Sequence, residues 1–131
     1  MYMTDPIADM LTRIRNASQA GLKYVVIPAS GQKIEVTKIL ETEGFVRGFR
    51  LVRDGRQGNI KIALKYTTTG RPVIQGLRRA SSPGRRVYMS IEKLSRRHAL
   101  GIAVVSTSKG MMSDVAAKNQ HVGGEVLAYV W

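Results

Sequence analysis

Three hydroxyl side chains, a lysine and a glycine stand side by side at Ser106-Thr107-Ser108-Lys109-Gly110. Hydroxyls donate and accept hydrogen bonds, the ammonium offers three donors, and glycine lets a backbone come close to a ligand. That set suits a polyanion that also displays base edges and ribose hydroxyls, which is structured RNA. Two other chemistries compete for the same residues. Ser106 to Lys109 matches the Ser-x-x-Lys nucleophile motif of penicillin-binding enzymes, but the partner motifs Ser-Asp-Asn and Lys-Thr-Gly are absent and Gly110 puts the lysine on a turn. A purely structural β-turn is the other reading, since serine and threonine favour turns.

Other residues fit the RNA reading in part. Tyr88 follows the Arg85-Arg86 pair by two residues. An exposed tyrosine there would stack on a base while the arginines hold phosphates; ordinary strand packing is its alternative. Glu125 is one of only three acids after Thr67. A carboxylate beside a basic face repels phosphate, so it is expected to accept hydrogen bonds from loop hydroxyls or backbone amides and so hold the Ser106–Gly110 turn. A solvent-exposed glutamate at a strand end is the plainer reading. Gly123 and Gly124 would let that strand approach closely, and Gly124 is counted with the RNA-facing residues. His98 and His121 lack partners at metal-binding spacing, and no cofactor is expected. Met10, Met111 and Met112 read as core filler.

These residues need a scaffold. Gly101 opens an apolar run, Ile102-Ala103-Val104-Val105, whose β-branched content reads as a buried strand delivering the hydroxyl loop. Upstream, Asp5-Pro6 opens a helix with Ile7, Met10, Leu11 and Ile14 on one face, closed by Gly21. Tyr24 to Pro28 reads as a strand, and Ser30 caps a second helix that stops at Gly44. Phe45–Arg53 and Asn59–Tyr66 form a hairpin around Asp54–Gly58. In its second strand Ile60, Ile62 and Leu64 alternate with Lys61, Ala63 and Lys65, giving one core face and one partly basic face. Beyond it, Val73–Ala80 and Arg86–Met89 read as strands around a Ser82-Pro83-Gly84 turn. Ser90 caps one helical turn through Leu94, ahead of a loop with Arg96, Arg97 and His98. Ser113–Asn119 is a short helix and Glu125–Trp131 the last strand. The fold class is α+β in two small lobes. An α-β-α-β-β lobe covers 1–69, and a mainly β RNA-binding lobe with a short helix covers 70–131. The breakers around Gly70 mark the boundary, and the lobes are expected to pack together.

Composition narrows the partners. The chain has 131 residues, 21 Lys and Arg against 9 Asp and Glu, a net charge of +12 and no cysteine. Disulfides and thiolate zinc sites are excluded, and a reducing compartment fits. The N-terminus lacks a basic region followed by an apolar stretch, so no secretory signal is expected, and no apolar run suits a membrane span. From Thr67 to Ser113 nine basic residues accompany a single acid, Glu92. Clustering of one sign costs self-repulsion and is the footprint of a nucleic-acid face. Arg13, Arg15, Lys33 and Lys61 are candidate secondary phosphate contacts of the first lobe; solvated cations are the alternative. A general nucleic-acid-binding or chaperone protein remains the rival to a specific RNA binder.

The chain also resembles the small-subunit ribosomal protein eight family of bacteria over almost its whole length. The resemblance rests on Asp5 through Ala17, Glu43-Gly44-Phe45, Ser82 through Tyr88, Gly101 through Gly110, Gly123 through Leu127 and the terminal Tyr129-Val130-Trp131. It implies a non-enzymatic ribosomal protein, without cofactor or small-molecule substrate, working in the cytoplasm. Its partners would be small-subunit rRNA and neighbouring small-subunit proteins, with no membrane role. It further implies primary binding to an irregular helix of the rRNA central domain, largely from the minor-groove side. By that likeness Ser106, Thr107, Ser108 and Tyr88 would touch bases or sugars, with Glu125 supporting the loop. Many bacterial members also bind their own messenger RNA as translational repressors. This chain departs from the family after Ser113-Asp114, where Val115-Ala116-Ala117-Lys118-Asn119 replaces a basic stretch and Gln120-His121 replaces Leu-Gly or similar. Phosphate contacts are therefore not carried over to that helix.

Overall fold

The computed structural model describes residues 5–53, 57–96 and 100–131. Two compact units emerge, Asp9–Gln75 and Gly76–Trp131, the latter including residues 5–8. The chain enters helix α1 (Pro6–Gln19) through Asp5, whose carboxylate accepts from the Ala8 amide at 3.1 Å. Proline in the first turn forfeits no helical bond, because those amides have no intrahelical partner. Ile7, Met10, Leu11 and Ile14 are each at most 2% exposed, as their helical spacing requires. Gly21, at φ +71°, ends the helix in a conformation that disfavours other residues.

Strand β1 (Tyr24–Pro28) leads to helix α2 (Gly31–Thr42), whose cap Ser30 accepts from the Lys33 amide at 3.3 Å. Gly44 (φ +80°) turns the chain out of that helix, with the Phe45 amide bonded back to the Leu40 carbonyl at 2.8 Å. Strands β2 (Val46–Val52) and β3 (Asn59–Leu64) follow, and the sheet is antiparallel in the order β1-β3-β2. Residues 54–56 of the expected hairpin turn lie outside the described residues. Ile60, Ile62 and Leu64 are buried while Lys61 and Ala63 between them are not. The period-two pattern thus separates a core face from an open one.

The other unit contains β4 (Leu77–Arg79), β5 (Tyr88–Met89), α3 (Ile91–Ser95), β6 (Ile102–Thr107), β7 (Gly110–Ser113), α4 (Asp114–Asn119) and β8 (Gly124–Val130). Its sheet runs β4-β8-β6-β7, with β5 also beside β8. Ala103, Val105 and Val126 lie on one face and are fully buried with Leu94 of α3 and Ala117 of α4. Burial of each larger aliphatic group contributes about 1.5–3 kcal/mol, which anchors the strands that carry the loop. Ser90 and Ser113 cap α3 and α4, accepting from the Lys93 and Ala116 amides. Asp114 accepts from the Ala103 amide at 3.0 Å, fastening α4 to β6.

Three element boundaries differ from the sequence expectation. Val73–Ala80 is not one strand. The Val73 amide bonds to Lys65, whereas Gly76 exchanges two 3.0 Å bonds with Trp131, and only Leu77–Arg79 joins the sheet. Arg86–Met89 shortens to Tyr88–Met89, because the Ser81 hydroxyl takes the Val87 amide and Arg85 bonds within the Ser82 turn. The hydroxyl loop is followed by a strand, β7, before the helix begins. Arg97 and His98 lie outside the described residues.

Candidate nucleic-acid interface

Antiparallel register brings the chemistry of four segments into one row. Ser106 pairs with Met111 on one side and with Glu125 on the other, and Glu125 pairs in turn with Tyr88. Residues directly opposite in a ladder share a face, so Ser106, Glu125 and Tyr88 project from the same side of the sheet. That side is opposite the one carrying Val105 and Val126, because side chains alternate along a strand. Residues separated by up to 37 positions are therefore neighbours at the end of one rigid sheet.

The loop itself is the tip of the β6–β7 hairpin, with Ser108 and Lys109 between the paired Thr107 and Gly110. Thr107 fixes the tip: its hydroxyl donates to the Gly110 carbonyl at 2.7 Å and accepts from the Lys109 amide at 3.1 Å. Gly110 adopts φ +108°, a left-handed value that favours glycine. Ser108, Lys109 and Gly110 are exposed, and Ser106 is half-buried. Among the described residues neither the Ser106 and Ser108 hydroxyls nor the Lys109 ammonium makes an internal hydrogen bond. Tyr88 is 68% exposed, so its ring faces solvent rather than packing in the strand.

Glu125 does not hold this loop. Its Oε2 accepts from the Ser81 hydroxyl at 2.5 Å and from Arg86 Nη1 at 3.1 Å. Ser81 is fully buried and also accepts from the Val87 amide. The expected partner was on the neighbouring strand β6; the actual partners come from the segment on the other side of β8. A bulge explains this placement. The β6–β8 register shifts between Val104 and Val105, leaving Leu127 extra on β8. The Leu127 carbonyl accepts from Ala80, and the Val126 carbonyl from Ser81, so the 77–81 segment continues along β8 to the carboxylate. Ser81 is the functional residue that the sequence did not single out. A serine ahead of Ser82-Pro83-Gly84 reads simply as part of the turn.

Gly124 acts on the scaffold. A Cβ there would lie 2.2 Å from the Ser106 carbonyl oxygen, and one at Gly123 would lie 2.5 Å from the Met89 carbonyl oxygen. Both glycines let the start of β8 thread between β5 and β6.

The cations divide into two groups. Arg79 donates to both oxygens of Asp5 at 3.1–3.2 Å and to the Leu127 carbonyl at 2.6 Å, and is largely buried. Arg86, half-exposed, is tied to Glu125, whereas the Arg85 residue is exposed at the turn and its guanidinium makes no internal bond among the described residues. In the other unit Arg13 pairs with Asp9 on the exposed side of α1, and Arg15 is half-buried. Lys61 places its ammonium 4.4 Å from the centre of the Tyr24 ring. Lys33 corrects the expectation of a phosphate contact: it is 6% exposed, and its Nζ donates to the Pro28 carbonyl at 3.1 Å. Its aliphatic stem is covered and its head satisfied internally, so it presents no cation at the surface.

Two antiparallel sheets with capped helices, one of them ending in a row of hydroxyl, aromatic and charged groups, define a basic α+β protein. A family model described as ribosomal protein S8 matches residues 5–131. The chain belongs to the ribosomal protein S8 family. It is 54% identical to small ribosomal subunit protein uS8 of Lactobacillus delbrueckii subsp. bulgaricus, over the full length of both chains. It is 52% identical, again over both full lengths, to the protein of that name from Clostridioides difficile. Identity to that of Thermodesulfovibrio yellowstonii is 49%, covering 98% of this chain and 99% of the relative.

Proposed function

We propose that this chain is a structural, non-enzymatic constituent of the bacterial small ribosomal subunit in the cytoplasm. In this reading it binds small-subunit rRNA directly through residues 70–131. The observation that carries it is the shared row of Ser106, Glu125 and the exposed Tyr88 beside a hairpin tip whose Ser108 hydroxyl has no internal partner among the described residues. A-form RNA hides its base edges in a deep, narrow major groove, so proteins approach the wide minor groove, the 2′-hydroxyls and distorted or unpaired bases. Short hydroxyl side chains at Ser106 and Ser108 reach such a shallow surface, Tyr88 stacks on a splayed base, and Lys109 and Arg85 neutralise phosphates. Thr107, Gly110 and Gly124 shape the tip, and Glu125 anchors the Tyr88 segment to it. The RNA is an irregular helix of the rRNA central domain, the same geometry admits the chain's own messenger, and neighbouring small-subunit proteins complete its surroundings.

The test is binding of the intact protein to a central-domain rRNA fragment and to a random RNA duplex of equal length, at one moderate salt concentration. Ser108→Ala and Tyr88→Ala should each weaken the fragment by about 1–3 kcal/mol, the size of a lost base contact or stacked base. Binding to the duplex should change little. Equal weakening of both RNAs would refute the assigned role and leave a general nucleic-acid binder. A leader segment of the chain's own messenger, competed against the rRNA fragment, tests the regulatory part: failure to displace the fragment removes it.

A further inference from the structure

The open face of the β1-β3-β2 sheet carries chemistry that the hairpin site does not use. Across that sheet Tyr24, Ala63 and Gly48 lie in one row, and Val26, Lys61 and Arg50 in the next. Ala63 and Gly48 give the first row a low floor, and with the flanking side chains they shape a trough of about 710 Å³. Tyr24, 49% exposed, forms one wall, with the Lys61 ammonium against its ring. Lys23, Arg47 and Lys65 also line the trough. Among the described residues none of these cations is ion-paired. The Lys65 ammonium donates to the Gly44 carbonyl, and the Glu41 carboxylate lies beside Gly48, 3.2 Å from where a Cβ there would sit.

Five cations around an exposed aromatic ring on the open face of a sheet do not arise from packing. Like charges held together repel, and among the described residues the Glu41 carboxylate beside Gly48 is a single acid set against five cations. The geometry points to a second RNA-binding surface here, taking an unpaired strand whose base stacks on Tyr24 and whose phosphates meet Lys61, Arg50 and Arg47. Sheets read single strands this way: an aromatic side chain offers a platform to any base while cations track the backbone. An acidic protein segment would satisfy the cations but leaves the ring and the Gly-Ala floor unused. The inference rests on the reading of the chain as an RNA-binding protein but places contact on different residues.

The experiment uses the full chain and a fluorescent oligouridylate of about 12 nucleotides, within the usual span of single-strand sites. Tyr24→Ala should weaken its binding roughly 5- to 150-fold, the range that loss of one stacked base gives. Tyr24→Phe should retain it, and Arg50→Gln with Lys61→Gln should weaken it and reduce its salt dependence. Unchanged melting temperatures keep the comparison clean, since all three side chains lie on the open face. Ser108→Ala should leave oligouridylate binding unaltered while weakening the rRNA fragment. Loss of oligouridylate binding in Ser108→Ala but not in Tyr24→Ala would overturn the second site and leave the hairpin site standing. Competition by polyglutamate as strong as by unlabelled oligouridylate would overturn it in favour of an acidic protein partner.

Discussion

Ser81 carries more of the site than its position suggests. Its hydroxyl donates a hydrogen bond to Glu125 and accepts one from the Val87 amide, and water does not reach it. Ser81→Ala removes one donor and one acceptor at once, leaving a mostly buried carboxylate with Arg86 alone and the Val87 amide with no partner. Stability should fall by about 1–3 kcal/mol, the cost of stranding buried polar groups, and a denaturant titration should show a lower midpoint with an unchanged slope. Arg86→Gln should cost less than about 1 kcal/mol, because that half of the network is solvent-screened. The reverse ranking would mean that the ion pair, and not the serine, positions Glu125. Half of this arrangement was legible in the sequence. An acid among so many cations demanded a partner, and Glu125 has one. The partner's identity was not legible, since 44 residues separate it from Ser81 and nothing local distinguishes Ser81 from Ser82. Tyr88 beside two arginines left stacking and packing open; its exposure could be read only once β5 was seen to sit at the sheet's margin.

Elements formed where local signals agreed and shifted where a distant partner intervened. The α1 and α2 helices have caps, an apolar stripe or core positions, and a glycine stop, and both appear at the expected places. β7 went unread because Gly-Met-Met-Ser has no β-branched residue; β6 supplies the ladder that makes it a strand. Val73–Ala80 divides because its two ends take different partners: the Val73 amide bonds back to Lys65, whereas Gly76 pairs with Trp131 at the end of β8 and opens the ladder that β4 continues. The same dependence on neighbours makes Gly124 critical to β8. Gly124→Ala would place a methyl 2.2 Å from the Ser106 carbonyl, between two strands that cannot separate without losing their ladder. The expected outcome is destabilisation of about 1–3 kcal/mol or more, with faster amide exchange in β6 and β8 and weaker binding of the rRNA fragment. Gly31→Ala is the matching control, since open space surrounds that position at the start of α2. It should be neutral or stabilise by up to about 1 kcal/mol, as an alanine in a helix does. If both variants behave alike, close approach of β8 to β6 is not what the glycine provides.

For the molecule as a whole, a charge of +12 overstates the cation supply at any one surface. Arg79 and Lys33 are consumed by the fold, Arg86 and Arg13 are shared with carboxylates, and Lys109, Arg85 and the cations around Tyr24 remain to meet an anion. This division makes two substitutions that are equal in net charge unequal in effect. Lys109→Gln removes an exposed ammonium that would displace a counterion from RNA. The plot of log affinity against log salt for the rRNA fragment should flatten by about 0.7–0.9, with affinity for specific and random RNA weakened alike and the melting temperature unmoved. Arg79→Gln leaves Asp5 without its cation and the Leu127 carbonyl without a charged donor. Stability should drop by about 1.5–3 kcal/mol, the scale for hydrogen bonds to charged groups, while the salt slope of the folded protein stays where it was. Measuring both slopes at a temperature well below either unfolding transition separates the two roles. A flattened slope for Arg79→Gln, or a lowered melting point for Lys109→Gln, would show that the fold does not divide its cations between packing and RNA in this way.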